Sequence, residues 1–249
     1  MVKDSQKLAV QTVNFLHGKG PVFYASLPSG PLAGQKHHLI SRLWDHLPAV
    51  KNPLWMWPHV NQDTFPIRAD EFIRVIRGPL GRPQLLLGEH QGPAISFCES
   101  GQNVWAALCG DACDIGIDVA ESHEFQGKYP FYRVFHPQEL SHALKLVSED
   151  LKKAAALLWS IKEAVAKALG CAFHLVSPRQ MIVYPSTGEA VGGATEIVAK
   201  ENRAYDFSVE LSGKAAKRFP MVSGRSLRVR SFSHGKMWLS IALLNRQSQ

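Results

Sequence analysis

An α+β fold is predicted by three features of the 249-residue sequence. Short alternating runs such as NVWAALC and DIGIDVA occupy its middle, two capped helical segments lie between residues 136 and 169, and alternating runs return after Gln180. This length can bury a large core and accommodates either one large domain or two modules of a little over a hundred residues; two are expected. With 45% hydrophobic and 20% charged residues, an extensively disordered chain is excluded.

The elements follow in order. PVFYASLPSGPLAG alternates apolar runs with turn residues, a helix is expected around His37 to Leu47, and KNPLWMWPHV is rich in Pro and Trp. EFIRVIRGPLGRPQLLL reads as a helical or extended stretch, a Gly-Pro turn and a strand. NVWAALC and DIGIDVA, separated by Gly110 and Asp111, suggest a hairpin. In DIGIDVA, period 2 puts Ile115, Ile117 and Val119 on one face and Gly116 and Asp118 on the other, so Asp118 points away from the apolar face. A helix then opens at His136-Pro137, with Pro in its first position and Glu139 in its first turn, and runs through LSHALKLVS. A longer one runs from about Asp150 to Leu169 and stops at Gly170. Its core stripe is Leu158, Ile161, Val165, Ala168 and Leu169, and Glu163 and Lys167 lie off that stripe. The remainder reads as strands with turns at STGEAVGG and SHGK, ending in RSLRVRSF and MWLSIALL.

No window approaches the ~18 apolar residues of a membrane span, and the opening MVKDSQKLAVQTVNF lacks the apolar core of a secretory signal. A cytoplasmic location without membrane contact is the expectation. Cys98, Cys109, Cys113 and Cys171 lack C-x-x-C spacing, so buried free thiols are expected rather than zinc or disulfides. The net charge of +7 is uneven: residues 1–115 hold 10 Lys and Arg against 9 Asp and Glu, and the rest hold 18 against 12. Such a field steers acidic partners. Nucleic acid is disfavoured, since no helix-turn-helix, zinc or RNA-recognition signature appears, and basic residues are not interleaved with the tryptophans of PLWMWP. His37 and His38 are adjacent on a presumed helix and face different directions, which favours a surface role over a metal site.

The chemistry concentrates in Trp159-Ser160-Ile161-Lys162-Glu163-Ala164-Val165-Ala166-Lys167-Ala168-Leu169-Gly170. Alone, Glu163 and Lys167 form an ordinary i,i+4 pair worth ~0.3–0.5 kcal/mol on a solvated face. Together with Asp118, on the preceding strand, they form a set suited to a pyrophosphate. A hard Mg²⁺ ion commonly takes one or two carboxylates and fills its shell with water and phosphate, while lysines neutralise charge on a transferred phosphoryl group.

Gly116-Ile117-Asp118 followed by Trp159, Lys162, Glu163 and Lys167 resembles the G-I-D strand and W-x-x-K-E-x-x-x-K helix of the 4′-phosphopantetheinyl transferases, specifically the single-chain, two-module type that activates peptide and polyketide synthases. Gly81-Arg82-Pro83 is similar to the family's G-K/R-P segment near the coenzyme A nucleotide. The resemblance implies two similar α/β modules related by a pseudo-twofold axis, each with a small antiparallel sheet and a long helix, here residues 1–112 and 113–249, with coenzyme A in the cleft between them. It implies a holo-acyl-carrier-protein synthase type of enzyme, monomeric, that moves 4′-phosphopantetheine from coenzyme A to a serine of an acidic acyl or peptidyl carrier protein. Asp118 and Glu163 become Mg²⁺ ligands, and Glu163 becomes the acceptor of the serine proton. Lys162 and Lys167 become phosphate contacts, and Arg82, Pro83 and Ser100 line the coenzyme A site. Trp159 becomes a packing residue.

Two positions depart from the pattern. Where the family often carries a second carboxylate two residues after the Asp, this chain has Ala120, with Glu121 on the opposite strand face. Where the family's N-x-S-H-S-G places a histidine, Ser96-Phe97-Cys98-Glu99-Ser100-Gly101 places Glu99, which repels a phosphate unless a cation intervenes. Basic residues of the N-terminal part, such as Arg42, Arg74 and Arg77, could compensate for the missing histidine, but no motif places them. These departures motivate the alternative of a non-catalytic binding or scaffold protein of the same fold.

Overall fold

The computed structural model describes residues 9–15, 20–30, 32–47, 73–87, 90–109, 113–186, 203–222 and 227–245. KNPLWMWPHV, Gly110, Asp111 and the STGEAVGG turn beyond Ser186 lie outside them. The architecture is α+β, with antiparallel sheets and few helices. A first sheet joins β1 (Gln11–Val13), β2 (Val22–Pro28), β6 (Ala94–Ser100) and β7 (Asn103–Cys109) in the order β1-β2-β7-β6. A second joins β8 (Cys113–Glu121), β9 (Met181–Pro185), β10 (Ala204–Leu211), β11 (Leu227–His234) and β12 (Met237–Asn245) in the order β8-β12-β11-β10-β9. A small third sheet holds β3 (Ile73–Arg77), β4 (Pro83–Leu87) and β5 (His90–Gln91). The helices are α1 (Leu32–Trp44), α2 (Phe131–Val134), α3 (Pro137–Leu146), α4 (Leu151–Ala168) and α5 (Gly213–Arg218).

The two larger sheets face each other, with a helix against each outer face. Val22, Tyr24, Cys98, Trp105 and Ala107 of the first sheet meet Ile115, Ile117, Val119, Leu239 and Ile241 of the second in one apolar cluster. The opposite faces pack under α1, through Leu39, Ile40 and Leu43, and under α4, through Leu157, Ile161 and Val165. Both large sheets share a connection: β2 pairs with β7 and β7 with β6, as β8 pairs with β12 and β12 with β11.

The expected hairpin of NVWAALC with DIGIDVA does not form. Both edges of β7 are taken, by β2 and β6, so β8 opens a new sheet. The hairpin in this region is β6–β7, turned at Gly101, whose φ is +57°. Cys98 and Cys171 are buried free thiols, as expected, and the Cys109 and Cys113 sulfurs lie close together where the chain passes between the large sheets. Helix α1 begins at Leu32, earlier than expected, and the chain is extended on both sides of the Gly-Pro turn, over Ile73–Arg77 and Pro83–Leu87.

Helices α3 and α4 follow the sequence signals closely. The Glu139 carboxylate accepts from the His136 backbone N–H at 2.8 Å, and Asp150 caps α4 by accepting from the Lys152 and Lys153 amides. Gly170 then leaves the helix at φ +74°.

Candidate active site

Helix α4 is buried almost all round. Among residues 154–168, Trp159, Glu163 and Lys167 keep partial exposure, and their i, i+4, i+8 spacing makes them one stripe. Strand β8 lies against this helix so closely that a Cβ on Gly116 would collide with the Ala164 carbonyl. The glycine of the G-I-D segment therefore sets the separation at which its aspartate meets the helix. Asp118, 7% exposed, lies on the same strand face as Gly116 and faces α4 rather than solvent.

Lys167 reaches back to that strand. Its Nζ donates to Asp118 Oδ1 at 2.7 Å and to the Ile117 carbonyl at 3.1 Å. Burial raises the Asp118 carboxyl to about 7, against the lowering effect of Lys167, and Glu163 and Glu124 add to the rise. Glu163 is also raised by burial, with Lys167 opposing. Burial disfavours the charged form of Lys167, but Asp118, Cys98 and Glu163 outweigh it and hold the ammonium above its ordinary range. Asp118, Glu163 and Lys167 thus form one electrostatic unit.

The β3–β4 turn supplies the other wall. Arg82 is ion-paired with Asp114 at the start of β8, and a Cβ on Gly170 would sit 3.0 Å from its guanidinium. The cation therefore lies over the C-terminus of α4, the favourable end for positive charge. Leu80, Gly81, Arg82, Pro83, Ser96, Phe97, Ile115, Lys167 and Gly170 line one cavity of about 220 Å³. Arg82 and Pro83 are brought together there with Lys167, which is distant in sequence.

Two predicted residues fall elsewhere. Lys162 is one position from Glu163, hence about 100° around the helix, and its side chain is fully buried. Its Nζ meets Glu139 Oε1 at 2.5 Å and donates to the carbonyls of Val134, Pro178 and Met181 at 3.2, 2.9 and 2.8 Å. The ammonium is engaged by these four acceptors and does not line the cavity. Ser100 pairs with Asn103 at the β6–β7 turn and does not line the cavity.

Other residues at the site were not singled out for it from the sequence. Ser96 lines the cavity and accepts from the Ile117 amide at 3.2 Å. The Cys98 thiol, driven up by burial and by neighbouring Asp118, is an unreactive wall of the same unit. Period 2 along SFCES puts Ser96, Cys98 and Ser100 on one face, and that alternation was the available signal. Glu99 is paired with Lys36 of α1 at 3.0 Å, and the same ammonium lies 5.8 Å from the centre of the Phe97 ring.

Among the described residues, no three His, Cys, Asp or Glu side chains gather as a metal site. Asp118 and Glu163 offer two carboxylates, with Glu163 raising the cost of ionising Asp118, a donor set that fits a hard cation whose remaining ligands are water and phosphate. No helix among the described residues is long and apolar enough to cross a membrane.

Residues 114–215 match the model of the 4′-phosphopantetheinyl transferase superfamily. A protein of Synechocystis sp. whose name provisionally assigns it as a 4′-phosphopantetheinyl transferase is 26% identical, the match covering 66% of this chain and 59% of that protein's length. A solved structure described as the Chronobacterium ammoniagenes ACPS–CoA complex aligns with 55% of this chain and all of its own, at 21% identity and a TM-score of 0.41.

Proposed function

We propose, from the match of residues 114–215 to the 4′-phosphopantetheinyl transferase superfamily model, that this chain transfers 4′-phosphopantetheine from coenzyme A to a serine of an apo acyl or peptidyl carrier protein. The observation that carries the reading is the meeting of Arg82, Pro83 and Lys167 in one cavity, with Lys167 joined to Asp118 at its wall. A diphosphate needs cations held in place by a rigid frame, and Arg82 and Lys167 are each held there by one carboxylate.

In this reading the carrier serine Oγ attacks the phosphorus that bears pantetheine. The bond to the bridging oxygen of the diphosphate breaks, and adenosine 3′,5′-bisphosphate leaves. Glu163 receives the serine proton: it lies on the partly exposed stripe, and burial raises its proton affinity toward that of a general base. Lys167 neutralises charge on the transferred phosphoryl group. Arg82 and Pro83 shape the nucleotide side. Asp118 and Glu163 would hold Mg²⁺, which when bound neutralises the diphosphate oxygens. Residues 1–112 and 113–249 are taken as two pseudo-twofold-related modules of a monomer, each built on one of the large sheets and its helix. The basic second module suits an acidic carrier.

Coenzyme A binding tests the reading directly. Thermal unfolding of the wild type is expected to shift upward with coenzyme A and Mg²⁺ together, and Arg82→Met to reduce the shift. An unchanged midpoint at millimolar coenzyme A would remove the substrate from the proposal.

A further inference from the structure

We propose that Lys167 is a resident cation on Asp118 and leaves that carboxylate when a divalent cation takes it, so the ammonium competes with the metal in the free protein and serves the phosphate in the loaded one. This rests on the transferase reading above. Two of the three ammonium donors are spent on β8, on Asp118 Oδ1 and the Ile117 carbonyl. The same side chain is one quarter exposed and lines the cavity that Arg82 and Pro83 share. The ammonium therefore sits at the border between carboxylate and cavity.

Lys167 also bears electrostatically on Glu163, the second carboxylate of the pair. In the free protein it performs the neutralising task that a divalent cation would perform. Two cations drawn to one buried carboxylate repel each other strongly where the effective dielectric is low. A lysine is a compact charge on a flexible stem, so the ammonium can swing from Asp118 into the cavity when a phosphate there offers oxygens in exchange. Arg82, packed over Gly170 and tied to Asp114, has no such freedom. The opposite possibility is that Lys167 is a fixed brace between α4 and β8 that stays on Asp118 in every state.

Titration of the full chain with Mn²⁺, followed by the resonance of the free ion, separates the two. Without coenzyme A, Lys167→Met is expected to bind Mn²⁺ about tenfold more tightly than the wild type, while its coenzyme A affinity falls; a coupling of this size is usual for linked sites. Opposite signs for the two ligands are the signature, since a brace lost from the fold weakens both. Equal or weaker Mn²⁺ binding by the variant overturns the inference while leaving the transferase reading in place, provided the wild type binds coenzyme A. A wild type that binds neither ligand overturns both. If Lys167→Met does not fold, Mn²⁺-soaked crystals of the wild type decide: the inference requires Lys167 Nζ to have left Asp118, and an ammonium still on that carboxylate beside bound Mn²⁺ overturns it.

Discussion

Replacing Lys162 by Met is expected to unfold the protein far more easily without acting on coenzyme A directly. The ammonium is fully buried and serves four acceptors: Glu139 at 2.5 Å and the carbonyls of Val134, Pro178 and Met181. These belong to α2, α3, the turn before β9 and β9 itself, so one side chain fixes α4 against four neighbouring segments. Glu139 is 1% exposed and also accepts from the Val183 amide at 2.9 Å. Met matches the stem in length, so little packing is lost. What is lost is the partner of a buried carboxylate and the donor for three carbonyls, that of Met181 buried and those of Val134 and Pro178 part-buried. Removing one member of a buried pair costs about 3–5 kcal/mol. Glu139→Gln, which leaves the ammonium uncompensated, is expected to cost a similar amount, and Lys162→Met/Glu139→Gln about as much as either single change, because the two lose the same interaction. Urea unfolding at neutral pH, read by tryptophan fluorescence, gives all three values. A loss under about 1 kcal/mol for Lys162→Met, together with a selective loss of coenzyme A affinity, would refute the structural role and restore Lys162 to the phosphate site.

Gly116→Ala is expected to destabilise the chain by at least ~1–3 kcal/mol by forcing β8 from α4, and to weaken Mn²⁺ binding by moving Asp118 away from Glu163; a variant with wild-type urea midpoint and Mn²⁺ affinity would contradict the close approach. Because Asp118 is raised from 3.8 to about 7 in the fold, the folded state keeps a proton that the unfolded chain has lost between those values. That stability is fully present below about 4 and is lost as pH rises through about 7, so the stability of the wild type relative to Asp118→Asn should fall across this window; a flat difference would show no such shift. Arg82→Met is expected to weaken coenzyme A by about 10–100-fold, the worth of a hydrogen bond to a charged group, yet to cost under ~1 kcal/mol of stability because its pair with Asp114 is partly exposed. Calorimetry and urea unfolding together check that split.

The second half of the fold was readable because its signals are local. Pro137 with Glu139, Asp150 as a cap and Gly170 as a stop mark two helices by backbone chemistry that needs no tertiary context. Asp118, Glu163 and Lys167 were legible as a set because strand period and helix period each put them off the core. The pairing of Lys162 with Glu139 was not legible, because sequence spacing tells which residues share a helix face but not what a neighbouring element buries. Only the approach of α3 and β9 turns that lysine inward. The β7–β8 hairpin failed for a related reason. A turn signal reports that the chain bends, whereas pairing depends on which edges are free, and both edges of β7 were claimed by strands distant or adjacent in sequence. Lys36 was missed because its role rests on Glu99, more than sixty residues away, and no motif links them.

Transfer of the phosphopantetheine arm is the central claim. Intact-mass spectrometry of apo carrier proteins incubated with this chain, coenzyme A and Mg²⁺ measures it, beside Glu163→Gln and Asp118→Asn. A mass gain of one phosphopantetheine on an acidic carrier with the wild type, abolished in both variants, is the predicted result. An unmodified carrier in every wild-type reaction, or a gain that survives Glu163→Gln undiminished, would contradict the proposed chemistry, and the former with no coenzyme A binding would favour a non-catalytic protein of the same fold.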